Sequence, residues 1–103
     1  MKNVNTITLS GKINWDAKVT KTEKCTVVNF PLNFYAGKGK DGAKYGTIQC
    51  TSFDEIVAAL VTNLGKGGKI IVHGNLTSDE YTNKEGNKVT VLKMIVDYAG
   101  MEG

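Results

Sequence analysis

The alternation of apolar and polar residues predicts an all-β protein, five short strands closed into a small barrel with one helix between the third and the fourth. Three observations carry this reading. Side chains alternate with period two in five separate runs, a single run repeats at helical spacing, and a glycine interrupts the first strand where a small barrel must bend.

In the first run Ile7, Leu9 and Ile13 share one face, with Gly11 between them as a candidate bulge or sharp bend. The second, Cys25 to Tyr35, puts Val28, Phe30, Leu32 and Phe34 on one face. Pro31 lacks an amide donor and belongs at an edge or a bulge. The third, Lys44 to Phe53, sets Ile48 and Cys50 against a polar face of Tyr45, Thr47, Gln49, Thr51 and Phe53, which suits an exposed working surface. Ser52 and Glu55 then have the spacing of a capping box, with Asp54 and Glu55 as helix-start charges. Ile56, Leu60 and Leu64, with Val57 and Val61, form the helical stripe, and Gly65 supplies a left-handed stop. The fourth run, Lys69 to Ser78, aligns Ile70, Val72 and Leu76. The turn cluster Asn83 to Asn87 leads into the fifth run, Lys88 to Tyr98. With no repeat or linker, residues 1–103 read as one domain. This layout is that of an OB-fold, the partly open five-stranded barrel; SH3-like barrels and flat α+β sheets do not usually carry a full capped helix at that point.

Composition narrows the function. No apolar run approaches the ~20 residues of a membrane span, and no basic-then-apolar leader opens the chain, so a cytoplasmic-type globular protein is expected. All 13 basic residues are lysine against 10 acidic residues, a formal net charge of +3. Lysine is a hydrated point charge without the arginine fork that reads base edges, so an anion-binding surface built from it is electrostatic and poorly selective. Cys25 and Cys50 are too few for a disulfide scaffold and read as buried apolar thiols. One histidine and no Cys-x-x-Cys spacing leave too few donors for a metal site. No cofactor is expected, and no enzyme: His73 lies mid-strand and reads as structural, and Ser10 and Ser78 have no evident base partner.

The segment from Asn5 through Gly11 to Trp15 and Asp16 resembles the first strand of bacterial and phage single-stranded DNA-binding proteins. So does Leu64-Gly65-Lys66-Gly67-Gly68-Lys69-Ile70-Ile71-Val72-His73-Gly74-Asn75-Leu76, which carries the family's Leu-x-Lys-Gly and Gly-x-Leu pattern. Phe53 and Tyr81 stand where the family has aromatics. The resemblance spans nearly the whole chain and implies an OB-fold that coats single-stranded DNA without sequence preference in replication, recombination and repair. It also implies assembly as a homotetramer, or alternatively a homodimer, with the first strand as the dimer edge. Three departures stand out. Ala17 replaces a common proline, Thr47 stands where several members stack a tryptophan, and the chain stops at Gly103 without the long tail and acidic tip that recruit partner proteins. The last point suggests a phage or mobile-element member, or a core fragment.

Such binding needs cations for phosphates and flat faces for bases, since every base has a π face. The candidate platforms are Trp15, Phe34, Tyr35, Tyr45, Phe53 and Tyr81. For Phe34 and Trp15 a barrel-core role remains equally open; Phe30 is assigned to the core and Tyr98 to the core or an interface. The candidate phosphate contacts are Lys38, Lys40 and Lys44 in a glycine-rich loop able to stay mobile, Lys84 and Lys88 in the last hairpin, and Lys12 and Lys66. Gly37, Gly39 and Gly42 lack the Gly-Lys-Ser/Thr ending of a nucleotide-hydrolase loop. The rival reading is an OB module of a replication assembly that binds proteins with little or no DNA contact. A cold-shock-type RNA chaperone is disfavoured because closely spaced aromatic repeats on adjacent strands are lacking.

Overall fold

The computed structural model describes residues 4–15 and 17–101. Asp16 of the opening motif and the terminus at Gly103 lie outside the described residues. The elements are β1 (Ile7–Ile13), β2 (Lys18–Lys21), β3 (Thr26–Gly39), β4 (Gly42–Ser52), α1 (Glu55–Leu64), β5 (Lys69–Thr82) and β6 (Lys88–Met101). The strand order is β1-β5-β6-β4-β3-β2, and a second pairing of β1 with β3 closes five of the six strands into a ring. All pairings are antiparallel except β4 with β6. The ring is the predicted five-stranded OB barrel.

A sixth strand, β2, adds to the five that the sequence predicts. All four residues of β2 are exposed, so nothing in its sequence alternates; it hangs on the outer edge of β3 through Lys18↔Asn29 to Lys21↔Thr26. In chain order the helix therefore falls between the fourth and fifth strands.

One apolar cluster fills the barrel. Ile13, Val28, Phe30, Leu32, Cys50, Ile70, Val72, Met94 and Val96 enter it from the strands, and Val57, Ala58 and Val61 from the helix. Each such large aliphatic or aromatic side chain contributes about 1.5–3 kcal/mol by leaving water. Ile7, Leu9, Ile48, Leu60 and Leu64 pack around its rim. Ile56, placed in the helical stripe by spacing, is instead 78% exposed, because the buried face is centred on Val57 and Val61.

The helix cap also differs from the expectation. Asp54, not Ser52, is the N-cap, its carboxylate accepting from the amides of Ile56 (2.7 Å) and Val57 (3.3 Å). Ser52 is fully buried and donates from Oγ to the carbonyl of Val96 at 2.8 Å, which ties β4 to β6. Gly65 does end the helix, at φ 67, with its amide donating to the Val61 carbonyl.

Gly11 carries no bulge. It pairs with Phe34 on one side and Ile70 on the other, and a Cβ there would strike the carbonyl oxygen of Asn33. Close backbone approach at the ring's closure is the reason for glycine. Pro31 sits where the edge of β3 passes from β2 to β1, and its carbonyl accepts from the Asn14 amide at 2.9 Å. The missing amide hydrogen therefore costs no ladder bond there. At the start of the chain, the Asn5 side chain replaces a ladder rung by exchanging two hydrogen bonds with the backbone of Leu76, at 2.7 and 2.9 Å.

Two long hairpins project from the barrel. β3 and β4 pair as far as Gly39↔Gly42, so the glycine-rich segment expected to be a mobile loop is a strand hairpin closed by Lys40 and Asp41. β5 and β6 pair from Ile70↔Met101 to Thr82↔Lys88, beyond the predicted strand ends. Asn83 closes this second hairpin by accepting from the amides of Glu85 and Asn87, both at 3.0 Å. Lys93 and Asp79 pair across it at 2.7 Å.

Candidate nucleic-acid interface

Period-two alternation gives each barrel strand an outer face, and the register decides which outer residues meet. On β3 and β4 the inward set runs through Val28, Phe30 and Leu32, so Asn33 and Tyr35 point outward on β3, and Thr47 and Tyr45 on β4. Tyr35 and Tyr45 are direct partners across the hairpin, both more than half exposed. Their ring centroids are 6.0 Å apart at 73°, an edge-to-face pair. The next row of partners crosses four strands: Thr47 on β4, Asn33 on β3, Lys12 on β1 and Lys69 on β5. Together with Ser10 and Gly11, the tyrosine pair, Asn33 and the two lysines line an open groove of about 430 Å³. Thr47 stands beside this groove on the same face.

The sequence candidates divide into three groups around this frame. Lys12, Tyr35 and Tyr45 are brought together in the groove, and Lys38, Lys40 and Lys44 extend the same hairpin outward, all exposed. A one-residue register shift between Tyr35 and Gly37 separates the tyrosine pair from the lysine-bearing tip. Trp15 follows β1 and is 62% exposed, so it does not plug the barrel; the Lys66 ammonium lies 5.0 Å from its ring centroid, a cation–π contact. Lys66 is held near by the turn after α1, whose Gly67 amide donates to the Ile13 carbonyl at 2.7 Å. Tyr81, Lys84 and Lys88 belong to the β5–β6 hairpin, with Tyr81 opposite Val89 and 53% exposed.

Two aromatics stand apart. Phe53 is 57% exposed at the far end of β4, eight residues and roughly 25 Å of strand from Tyr45. Phe34 lies on the inward parity, half-buried over Gly46, where a Cβ would come within 2.8 Å of its ring. Tyr98, expected in the core or an interface, is 66% exposed on the outer face of β6 and so is not core. Asn33 and Lys69 were not singled out from sequence. Both are outward-facing polar residues, and only the pairing of β1 with β3 and β5 sets them beside the tyrosines.

The thiols and the histidine fall elsewhere. Cys50 is enclosed, and burial pushes its thiol up to about 12. Cys25 is exposed, contrary to the buried reading, because it closes the Thr22–Cys25 turn outside the barrel. His73 bonds through Nδ1 to Asp97 at 3.0 Å across the register shift of β5 and β6, with both side chains partly open to solvent. No group of three or more metal-ligating side chains occurs among the described residues. No helix among them is long and apolar enough to cross a membrane.

The model of the single-strand binding protein family matches residues 4–101. Similar curated proteins include the single-stranded DNA-binding proteins of Mycobacterium leprae (29% identical, covering 92% of this chain and 61% of that protein) and Paenarthrobacter aurescens (30%, 97% and 63%). The mitochondrial single-stranded DNA-binding protein of Drosophila melanogaster is 25% identical, covering 93% of this chain and 69% of that one. The chain thus spans somewhat over three fifths of the length of these relatives. Among solved structures, the Plasmodium falciparum SSB complex with ssDNA superposes with a TM-score of 0.77 at 18% identity, covering 97% of this chain and 94% of that one. A small single-stranded DNA-binding protein from Streptomyces coelicolor superposes with a TM-score of 0.80 at 15% identity, covering 98% and 96%. At such identities the superpositions establish the fold, and the family match over nearly every residue establishes the kinship: the chain belongs to the single-strand binding protein family, a family of binding proteins rather than enzymes.

Proposed function

We propose that this protein binds single-stranded DNA without sequence preference, through the outer face of the barrel and its two hairpins. The observation that carries the reading is the groove in which an exposed tyrosine pair and lysines share one surface. Its chemistry fits unpaired strands: the rings offer stacking faces that tolerate any base, and lysine alone supplies charge without base selectivity. In this reading Tyr35, Tyr45, Trp15, Phe53 and Tyr81 stack bases, and Lys12, Lys38, Lys40, Lys44, Lys66, Lys84 and Lys88 meet phosphates. Phe34 serves the barrel end. The role extends to coating single strands during replication, recombination and repair in the cytoplasm of a bacterial or phage-infected cell.

Self-association belongs to the same proposal, as a homotetramer with a homodimer as the alternative. β3 covers β1 only at Gly11–Ile13, which leaves the edge of β1 beside Ile7–Ser10 open to a second copy. Exposed Thr8, Ser10, Ile71 and Tyr98 on the adjoining outer face give it a neutral, β-prone and partly apolar surface. Linked copies raise avidity on one long strand.

Titrating fluorescent oligothymidine at two salt concentrations tests the binding claim. Tight binding that weakens with salt is expected, with a slope near 0.7 per phosphate neutralised. No binding at low salt would favour the protein-interaction reading instead. Sedimentation equilibrium at micromolar concentration tests assembly; a single-chain mass with and without oligothymidine would refute it.

A further inference from the structure

We infer that Lys12 and Lys69 together seat one backbone phosphate of the bound strand, at the end of the groove away from the Tyr35–Tyr45 pair. The inference rests on the single-strand reading above and adds to it a residue, Lys69, that neither motif nor composition singles out.

Lys12 and Lys69 are direct antiparallel partners on the outer face of β1 and β5, and both are exposed. Directly opposed Cβ atoms lie roughly 5 Å apart, and like charges at that spacing destabilise a strand pair. A carboxylate between them would relieve the repulsion, yet neither lysine has one among the described residues. Asp79, which does neutralise a lysine across strands, serves Lys93 on the other hairpin. Two lysines opposed across strands, without a carboxylate partner among the described residues and lining one groove, are a seat for an external anion.

The rest of the groove says which anion. Tyr35 and Tyr45 form its opposite wall, so a ligand that fills it presents negative charge at one end and a flat face at the other, as a nucleotide unit does. Between the two ends stands Asn33, whose Oδ1 is enclosed and accepts no hydrogen bond. Asn33 therefore marks the floor of the groove without itself offering the ligand an accessible acceptor. The strand would then cross β4, β3, β1 and β5 roughly perpendicular to them, along the row Thr47, Asn33, Lys12 and Lys69.

The test is the salt dependence of oligothymidine binding between 50 and 200 mM for the wild type, Lys12→Ala, Lys69→Ala and the double variant, with Lys18→Ala on β2 as control. Loss of one shared phosphate lowers the slope by about 0.7, so each single variant should lose ~2.6-fold less affinity than the wild type over that fourfold salt range. The double variant should show the same slope as either single, and Lys18→Ala the wild-type slope. Without DNA, Lys69→Ala should melt at or above the wild-type temperature, since it removes a repulsion. An unchanged slope in Lys69→Ala overturns the seat, and so does a lower melting temperature. Slope losses that add in the double variant overturn the sharing of one phosphate. Each of these leaves single-strand binding itself intact, whereas a wild type that ignores oligothymidine at low salt removes both.

Discussion

Replacing Tyr45 with alanine separates what its ring does for the fold from what it does for binding. The ring is 64% exposed and touches Tyr35 edge-on at 6.0 Å, so the fold loses little more than a solvent-facing aromatic contact. Such a pair contributes ~0.5 kcal/mol at the weak end of its range, which moves the melting temperature by roughly 2–4 °C. Stacking of one base contributes ~1–3 kcal/mol, so affinity for oligothymidine should fall roughly 5- to 150-fold. Tyr45→Phe keeps the flat face and should bind within about twofold of the wild type. Because the two rings buttress one another, Tyr35→Ala combined with Tyr45→Ala should lose less than the sum of the two single effects. Fluorescence anisotropy with a labelled oligothymidine reads the wild type and all four variants, and thermal melts confirm that they are folded. Wild-type affinity in Tyr45→Ala, or equal losses in Tyr45→Phe and Tyr45→Ala, would refute the reasoning.

Asp54→Ala should destabilise the fold by about 1 kcal/mol, whereas Glu55→Ala should change it by no more than a few tenths. Urea melts decide between them, and a Glu55 effect as large as that of Asp54 would restore the Ser52–Glu55 capping box. Phe53→Ala and Tyr81→Ala should each weaken oligothymidine binding by ~1–3 kcal/mol without unfolding the protein; normal binding by either variant would assign that ring to packing or assembly. In the folded protein Cys25 should react promptly with a thiol reagent at pH 8, while Cys50 stays protected. Reaction requires the thiolate, and with the Cys50 thiol pushed up to about 12 it remains protonated throughout the ordinary assay range. Two thiols reacting at one rate without denaturant would contradict its burial.

The barrel was legible because one face of most strands is buried. Val28, Phe30 and Leu32, or Ile70 and Val72, alternate with outward residues, and that pattern survives in any register. β2 was not, since a strand exposed at every position writes no pattern. Ser52 reads as the cap in sequence because its partner, the Val96 carbonyl, is 44 residues away and is brought near by the parallel pairing of β4 with β6. The candidate site divides the same way. Tyr35 and Tyr45 are visible as outward aromatics on neighbouring runs, but their contact depends on where the hairpin turns and on the register shift before Gly37. Lys69 reads as an ordinary strand-start lysine until β1 is laid against β5. Non-local register is the part of the site that a single sequence withholds.

Photocrosslinking tests whether the outer groove of the barrel is the DNA surface. An oligonucleotide carrying 5-iodo-deoxyuridine in place of thymidine, irradiated on the protein and mapped by mass spectrometry, should attach to Tyr35 or Tyr45 first, with Trp15, Phe53 and Tyr81 as further sites. At 50 mM salt Lys69→Ala should lower the yield at the tyrosine pair more than Lys18→Ala does, and its yield should fall less as salt rises to 200 mM. Adducts confined to β2 and α1, with none on the two tyrosines, would place the DNA on another face and contradict the account.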